Sequence, residues 1–129
     1  MESLVSQIQN AGKDTTSAMQ SQTKSMTYEE TPKKKTMCEY FRDQIMDEFE
    51  GSKDYLTKAI EMKENKPKWA CKFYKMAEME IEHANCLNNM FISMGDSEEP
   101  CHDSIYREIL EAYTKYMTEI GAMERMYKS

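Results

Sequence analysis

The sequence predicts an all-α protein in which an antiparallel helical hairpin is joined by a third helix and preceded by a polar tail. Among its 129 residues are four Gly, three Pro and a single Val, a composition that favours helices over strands. In three long segments the apolar residues recur at alternating intervals of three and four, as on one face of a packed helix. The length accommodates one domain with a core of moderate size.

The polar tail is predicted to comprise residues 1–35. This segment is rich in Ser, Thr, Gln, Asn and Lys and has no sustained hydrophobic period. Because such a composition buries too little apolar surface to order itself, we expect the tail to be flexible. A short helix near residues 2–9 would be marginal in isolation. The remaining residues, 36–129, are predicted to form one helical domain.

The first long helix is predicted from residue 37 to about residue 64. It follows Thr36, which forms a T-x-x-E capping box with Glu39. Gly51 lies in the middle of this helix, where Gly costs about 1 kcal/mol relative to Ala. Since Gly has no side chain, we expect it to let a neighbouring helix come close beside Glu48.

The second and third long helices are predicted over about residues 67–94 and 103–127. Pro67 suits the first turn of a helix, and Gly95 suits the position just beyond its end. Short connections make successive helices antiparallel neighbours. On the third helix we expect the following residues to face inward: Tyr106, Ile109, Tyr113, Tyr116 or Met117, and Ile120. Glu124 shares their helical phase, but we expect it at the surface because it lies in the final turns.

Two of these helices place acids in series that are otherwise mostly apolar. Steps of four and three along the second helix give one acid and one imidazole among apolar residues: Trp69, Phe73, Met76, Glu80, His83, Leu87, Met90 and Met94. Similar steps along the first helix give Phe41, Ile45, Glu48, Ser52, Tyr55, Ala59 and Met62. We expect both series to face the core, because a rotation of about 100° per residue keeps such positions on one side.

A metal ion would explain why Glu48, Glu80 and His83 share an apolar phase. Burying a carboxylate without a partner costs several kcal/mol, and a bound cation is one such partner. Oxygen and nitrogen ligands suit iron, manganese or zinc better than a site for thiolates. By contrast, Glu50 and Glu82 are rotated away from these series and are predicted to be solvated.

The same residues allow other interpretations. Glu48, Glu80 and His83 could form a buried polar cluster that hydrogen-bonds without metal. Tyr55 could pack inward with its hydroxyl on a carboxylate, or it could orient Glu48 or quench oxidising equivalents. A zinc site built from His83 with Cys86, and from Cys101 with His102, is a further interpretation, although adjacent Cys and His in a loop give poor tetrahedral geometry.

Two segments resemble the first two helices of the ferritin-like superfamily, rubrerythrins and encapsulated ferritins in particular. They are DEFEGSKDY at residues 47–55 and FYKMAEMEIEHA at residues 73–84. On the first helix of that family a metal-binding Glu precedes a Tyr by seven residues, as Glu48 precedes Tyr55. The second helix carries E-x-x-H followed by Ala, as in the residues from Glu80 to Ala84.

The resemblance covers about residues 37–94, and the third helix only loosely resembles small ferritin-like proteins of bacteria and phages. A complete ferritin-like site takes two single Glu ligands and two E-x-x-H motifs from four helices. The predicted helices of this sequence carry one of each, and the resemblance implies that residues 36–129 form one ferritin-like helical domain. The resemblance to encapsulated ferritins implies that a two-fold homodimer, or a higher oligomer, supplies the missing half.

The resemblance implies a di-iron carboxylate protein, with Mn as a second candidate metal, that has ferroxidase or peroxide-reducing activity. Hard carboxylates stabilise Fe(III), and the imidazole fixes the geometry of each ion. Glu48, Glu80 and His83 would then be the ligands, with Tyr55 beside them. The alternative is a non-enzymatic bundle that keeps the ancestral pattern and acts as a structural or interaction module, for example in a phage particle.

Charge and cysteine content narrow the expected partners and location. The formal net charge is −6, and the single basic run, Lys33 to Lys35, is too short for a nucleic-acid surface. No segment approaches the ~20 apolar residues of a membrane span, and the N-terminus lacks the apolar core of a signal peptide. The four cysteines form no C-x-x-C pair. We therefore expect a cytoplasmic protein, or a virion-associated one if it is phage-encoded, with reduced thiols.

Overall fold

The computed structural model describes residues 3–9, 35–95 and 102–129, and these residues form four helices and no strand. The helices are α1 (Leu4–Gln9), α2 (Met37–Met62), α3 (Pro67–Ser93) and α4 (His102–Lys128). The predicted all-α class is confirmed, as is the hairpin of α2 and α3 followed by a further long helix. Residues 10–34 of the predicted tail lie outside the described residues.

Local sequence signals fix the ends of α2 and α3. The predicted capping box is present, because Thr36 Oγ1 accepts from the Glu39 N–H and Glu39 Oε1 accepts from the Thr36 N–H, each at 3.0 Å. Pro67 is the first residue of α3. At the other end, the N–H of Gly95 donates to the carbonyl of Ile92 at 2.9 Å and closes the final turn.

The long helices are arranged around α2. Helix α2 packs against both α3 and α4, whose own Cα atoms stay more than 8 Å apart over the described residues. An ion pair from Arg42 to Glu108 and a hydrogen bond from Lys63 to the carbonyl of Met126 show that α2 and α4 run in the same direction. Helix α1 lies between α3 and α4 and contacts both.

The buried face of α3 differs from the predicted one by one residue, or about 100°. The buried residues are Ala70, Tyr74, Ala77, Ile81, Ala84, Asn88 and Phe91. In the predicted series, Trp69 is 55% exposed, Met76 is 38% exposed, and the others are half-buried except His83, which is exposed. Both series have the same alternation of four and three, so spacing alone does not separate them. The alanines decide the phase, because small side chains let α2 come close.

The phases of α2 and α4 follow the prediction more closely. Phe41, Ile45, Ser52 and Ala59 are buried on α2, together with Cys38, Phe49 and Leu56, whereas Glu48, Tyr55 and Met62 lie half-buried at the edge. On α4 the buried residues are Ile105, Ile109, Ala112, Tyr116, Ile120, Gly121 and Glu124. Tyr106, Tyr113 and Met117 are half-buried.

Glu124 is buried, contrary to the surface position predicted for it. Its Oε2 atom accepts hydrogen bonds from the Tyr74 hydroxyl and, at 3.0 Å, from the Leu4 N–H, and Lys128 Nζ lies 3.2 Å away. Burial by itself would raise the pKa of Glu124, but these donors outweigh it and hold the pKa below its ordinary value. The prediction failed because two of the three donors, the Leu4 N–H and the Tyr74 hydroxyl, come from α1 and α3, far away in sequence.

Helix α1 docks through two apolar side chains. Leu4 and Ile8 are 0% and 2% exposed, and Ser3 caps the helix by accepting from the Ser6 N–H at 3.0 Å. A six-residue helix is unstable in water by itself, so its order depends on these contacts. The segment predicted as a polar tail therefore contains a helix that adds to the core.

Two further observations concern the environment of the chain. Cys38, Cys71 and Cys86 form no disulfide with one another. None of the helices in the described part of the chain combines the length and apolarity that a membrane crossing requires.

We predict that Leu4→Ala lowers the free energy of unfolding by about 2 kcal/mol, because it deletes a fully buried side chain. The loss stays near the lower end of the usual range, since α1 can undock rather than keep a cavity. Urea denaturation measures it. Met126→Ala is the matched control, because Met126 is 56% exposed and its loss should cost no more than about 0.5 kcal/mol. Equal effects of the two substitutions would show that α1 does not stabilise the fold.

Candidate metal centre

Glu48 of α2 meets Glu80 and His83 of α3 at the edge of the interface between the two helices. One ligand atom from each of the three residues lies within 4.8 Å of the other two. Oxygen and nitrogen ligands lie about 2.1 Å from an ion such as zinc, so two ligand atoms of one ion can be at most about 4.2 Å apart. A small side-chain adjustment would therefore bring all three onto one ion.

Close helix packing produces this convergence. Ser52 Oγ donates to the carbonyl of Ala77 at 3.0 Å, which joins α2 to α3 at a point where both carry small residues. Beside it, a Cβ atom added to Gly51 would lie 3.2 Å from Glu80 Oε1. Gly51 thus provides the space that the Glu80 carboxylate occupies, in agreement with the close approach expected from the sequence.

One oxygen of the Glu48 carboxylate lacks the hydrogen bond that its burial calls for. Its side chain is 21% exposed, and its Oε1 atom is buried without a hydrogen-bond partner among the described residues. His83 Nδ1 lies 3.4 Å from that atom, near enough for electrostatic attraction but outside hydrogen-bond geometry. A buried carboxylate oxygen without a hydrogen-bond donor, beside an imidazole nitrogen, is suited to bind a cation. The oxygen and nitrogen atoms of this site therefore suit a metal ion.

Burial also changes the proton affinity of Glu48. Desolvation, then the contact with Glu80 and its charge, and finally the charge of Asp47, raise the pKa of Glu48 to about 8. Sequence reasoning did not select Asp47, although its position next to Glu48 was a sufficient signal. Without a cation, the two facing carboxylates repel each other unless one of them is protonated.

The site lies open on one side. The His83 side chain is 57% exposed, and Glu80 is half-buried. On the same helix, Trp69, Met76 and Met79 expose 55%, 38% and 52% of their surfaces. The predicted inward series of α3 is therefore a partly exposed apolar strip with the acid and the imidazole in its middle.

The other residues considered from the sequence are placed as follows. The ring of Tyr55 stacks on that of Phe73 with 6.2 Å between centroids, and its role in orienting Glu48 stays a prediction. Glu50 is exposed, as predicted, yet it accepts a hydrogen bond of 2.5 Å from the Tyr116 hydroxyl. His102 stacks on Phe91 at 4.2 Å, whereas Cys101 lies outside the described residues.

A family comparison agrees with this geometry. The model of the rubrerythrin family matches residues 39–129, which include nearly all of the three long helices. The chain belongs to the rubrerythrin family. Rubrerythrins are ferritin-like proteins that typically bind iron, so the resemblance noted in the sequence is confirmed and the chain is a ferritin-like helical bundle of a di-iron carboxylate family. A comparison with curated proteins and one with solved structures each gave no significant match.

We predict that Gly51→Ala weakens metal binding about tenfold, the usual effect of disturbing the support of a ligand. The new Cβ displaces the Glu80 carboxylate, while the higher helix propensity of Ala keeps the fold at least as stable. Titration with Mn(II) followed by calorimetry measures the affinity. Thr57→Ala is the control, because it raises helix propensity at an exposed position of α2. Equal affinities in both variants would mean that Gly51 does not make room for a ligand.

The raised pKa of Glu48 predicts a pH-dependent stability in the presence of a chelator. The folded pKa is about 8 and the ordinary value 4.5, so between these values the folded state holds a proton that the unfolded state has released. Stability should therefore fall as pH rises from about 5 to 8. Urea denaturation with EDTA should show Glu48→Gln becoming progressively more stable than the wild type over this window. A difference that does not change with pH would contradict the raised pKa.

Proposed function

We propose that this protein binds a pair of iron ions and oxidises iron with O₂ or uses iron to reduce peroxide. The observation that carries the proposal is the convergence of Glu48, Glu80 and His83 within 4.8 Å in a chain of the rubrerythrin family. Membership of the family supports iron, and the oxygen and nitrogen ligands suit it, with Mn(II) as the second candidate.

The proposed site is completed by a second copy of the chain. One copy offers three ligands at an exposed edge, which is half of what a di-iron bundle uses. A two-fold axis beside His83 would bring two such sets together, and the contact would be isologous. The exposed residues Trp69, Met76 and Met79 flank the site on α3, and burying them would supply apolar contact area for the dimer.

In this proposal each residue of the site has a separate task. Glu48 and Glu80 would hold the ions through carboxylate oxygens, and His83 would bind through a ring nitrogen. When bound, the iron supplies the electrons that reduce O₂ or peroxide. Glu48 must lose its proton before it can coordinate, so the residues exchange a proton for a metal ion as the site fills. The apolar residues around the site exclude water from the proposed interface.

We predict that Glu80→Gln and His83→Ala abolish stoichiometric iron binding, because each removes a ligand atom. Glu82→Gln is the matched control: Glu82 lies on α3 between the two ligands, but it is exposed. Elemental analysis of protein purified without chelator measures the metal. A wild-type protein free of iron and manganese, with stability unchanged by Glu80→Gln, would instead favour a non-enzymatic structural or interaction module.

We also predict that Fe(II) added without oxygen converts a monomer into a dimer or a larger closed assembly. The reason is that each copy provides only half of the ligands. Sedimentation velocity measures the change, and His83→Ala should prevent it. A monomer that retains two metal ions by itself would contradict the shared site.

A further inference from the structure

Helix α1 binds in a groove between α3 and α4 through both side-chain and backbone contacts. The groove lies on the far side of α3 from the candidate metal centre. Helix α1 contacts these two helices, and its Cα atoms do not come within 8 Å of those of α2. Leu4 and Ile8 enter the groove one helical turn apart, so a single face of α1 supplies the apolar contact. This arrangement is the helix-in-groove mode of peptide recognition.

The groove also binds the backbone of α1 at both ends. Glu124 Oε2 accepts from the N–H of Leu4 at 3.0 Å, and Asn85 Nδ2 donates to the carbonyl of Gln7 at 2.7 Å. At the ends of a helix these groups have no partner within the helix, so the groove supplies one for each. The Gln7 side chain adds a contact of 3.4 Å from its Nε2 to Glu78.

The floor of the groove is shaped for this occupant. A Cβ atom added to Gly121 would lie 2.9 Å from Val5 Cγ2, nearer than two such atoms can approach. The carboxylate of Glu124 is oriented by the Tyr74 hydroxyl and by Lys128 as well as by α1. If α1 left, Glu124 would lose a donor and the apolar surface beneath Leu4 and Ile8 would face water.

The contacts that hold α1 in the groove do not involve the part of the chain that directly follows α1. All the described hydrogen bonds that anchor α1 come from side chains of α3 and α4, and none involves α2, the helix that follows in sequence. Residues 10–34 join α1 to the start of α2 and, fully extended, a chain of that length spans about 80–90 Å. The connection is therefore long enough for α1 to reach a groove on a neighbouring molecule.

We propose that the groove between α3 and α4 accepts α1 from a second copy of the chain, so that two copies associate by exchanging this helix. Exchange of an identical element creates a dimer from contacts that already exist within one chain. The contact uses the opposite side of α3 from His83. It is therefore independent of the metal-linked dimer proposed above.

Two complementary full-length variants test the exchange. Leu4→Asp with Ile8→Asp removes a dockable α1 but keeps the groove, whereas Gly121→Leu blocks the groove but keeps α1. Both variants also carry Glu80→Gln and are kept in EDTA, so metal cannot link them. In sedimentation velocity we expect each variant alone to be monomeric and their mixture to form a 1:1 complex. Two monomers that do not associate when mixed, each with normal helicity by circular dichroism, would overturn the proposal.

A peptide experiment provides a second measure that tolerates partial loss of folding. A fluorescent peptide of residues 1–12 should bind the Leu4→Asp, Ile8→Asp variant saturably in anisotropy and raise its thermal midpoint. Binding to the wild type should be at least about tenfold weaker, because α1 of the same chain or of an exchanged partner already fills the groove. The control peptide carries the same two Asp substitutions and should not bind. Equal binding of both peptides, or no binding of either, would show that the groove does not recognise α1 from another molecule.

Discussion

The close approach of α2 and α3 is the constraint on which the candidate site depends. Ser52 reaches the backbone of Ala77 at 3.0 Å, and Gly51 leaves room for a carboxylate directly beside it. Such short distances between helices require small residues, and α3 meets the requirement with Ala70, Ala77 and Ala84, spaced seven apart. Because the backbones are so close, side chains at the edge of the interface are forced close together. Glu48 and Glu80 are two of these side chains.

This geometry brings two carboxylates into a partly buried position, where desolvation and mutual repulsion destabilise the fold. Two carboxylates and an imidazole lie together where desolvation already raises the pKa of Glu48 to about 8. A protein under selection for stability alone would replace at least one of these acids by an apolar residue. The proposed bound cation would offset this cost, and Glu48 Oε1, which has no hydrogen-bond partner among the described residues, is free to bind it. The contrast with Glu124 is informative, since that buried acid has three donors and a lowered pKa.

The sequence was sufficient for the fold class but not for the phase of α3. Capping residues and Pro67 define ends locally, so those predictions needed no tertiary information. To predict which face of α3 is buried, we had to choose between two series of residues with the same spacing. The large apolar side chains of Trp69 and Met76 favoured the series that is partly exposed in the structure. The metal-ligand prediction was argued from that wrong phase and stays a prediction, but Glu80 and His83 still approach Glu48 because they lie at the edge of the buried face. A fully buried pair would have been less accessible to a second copy.

The docking of α1 was beyond sequence reasoning for a different reason. Residues 4–9 have two apolar side chains one turn apart, a pattern too short to distinguish a docked helix from chance. What stabilises α1 is the groove, whose main polar residue, Glu124, is 120 positions away from Leu4. The two faces of α3 therefore have different chemistry. One presents the candidate metal ligands in an apolar strip, and the other provides hydrogen-bond partners for the ends of a helix. Since the faces point away from each other, the two contacts that we propose would together join copies into assemblies larger than a dimer.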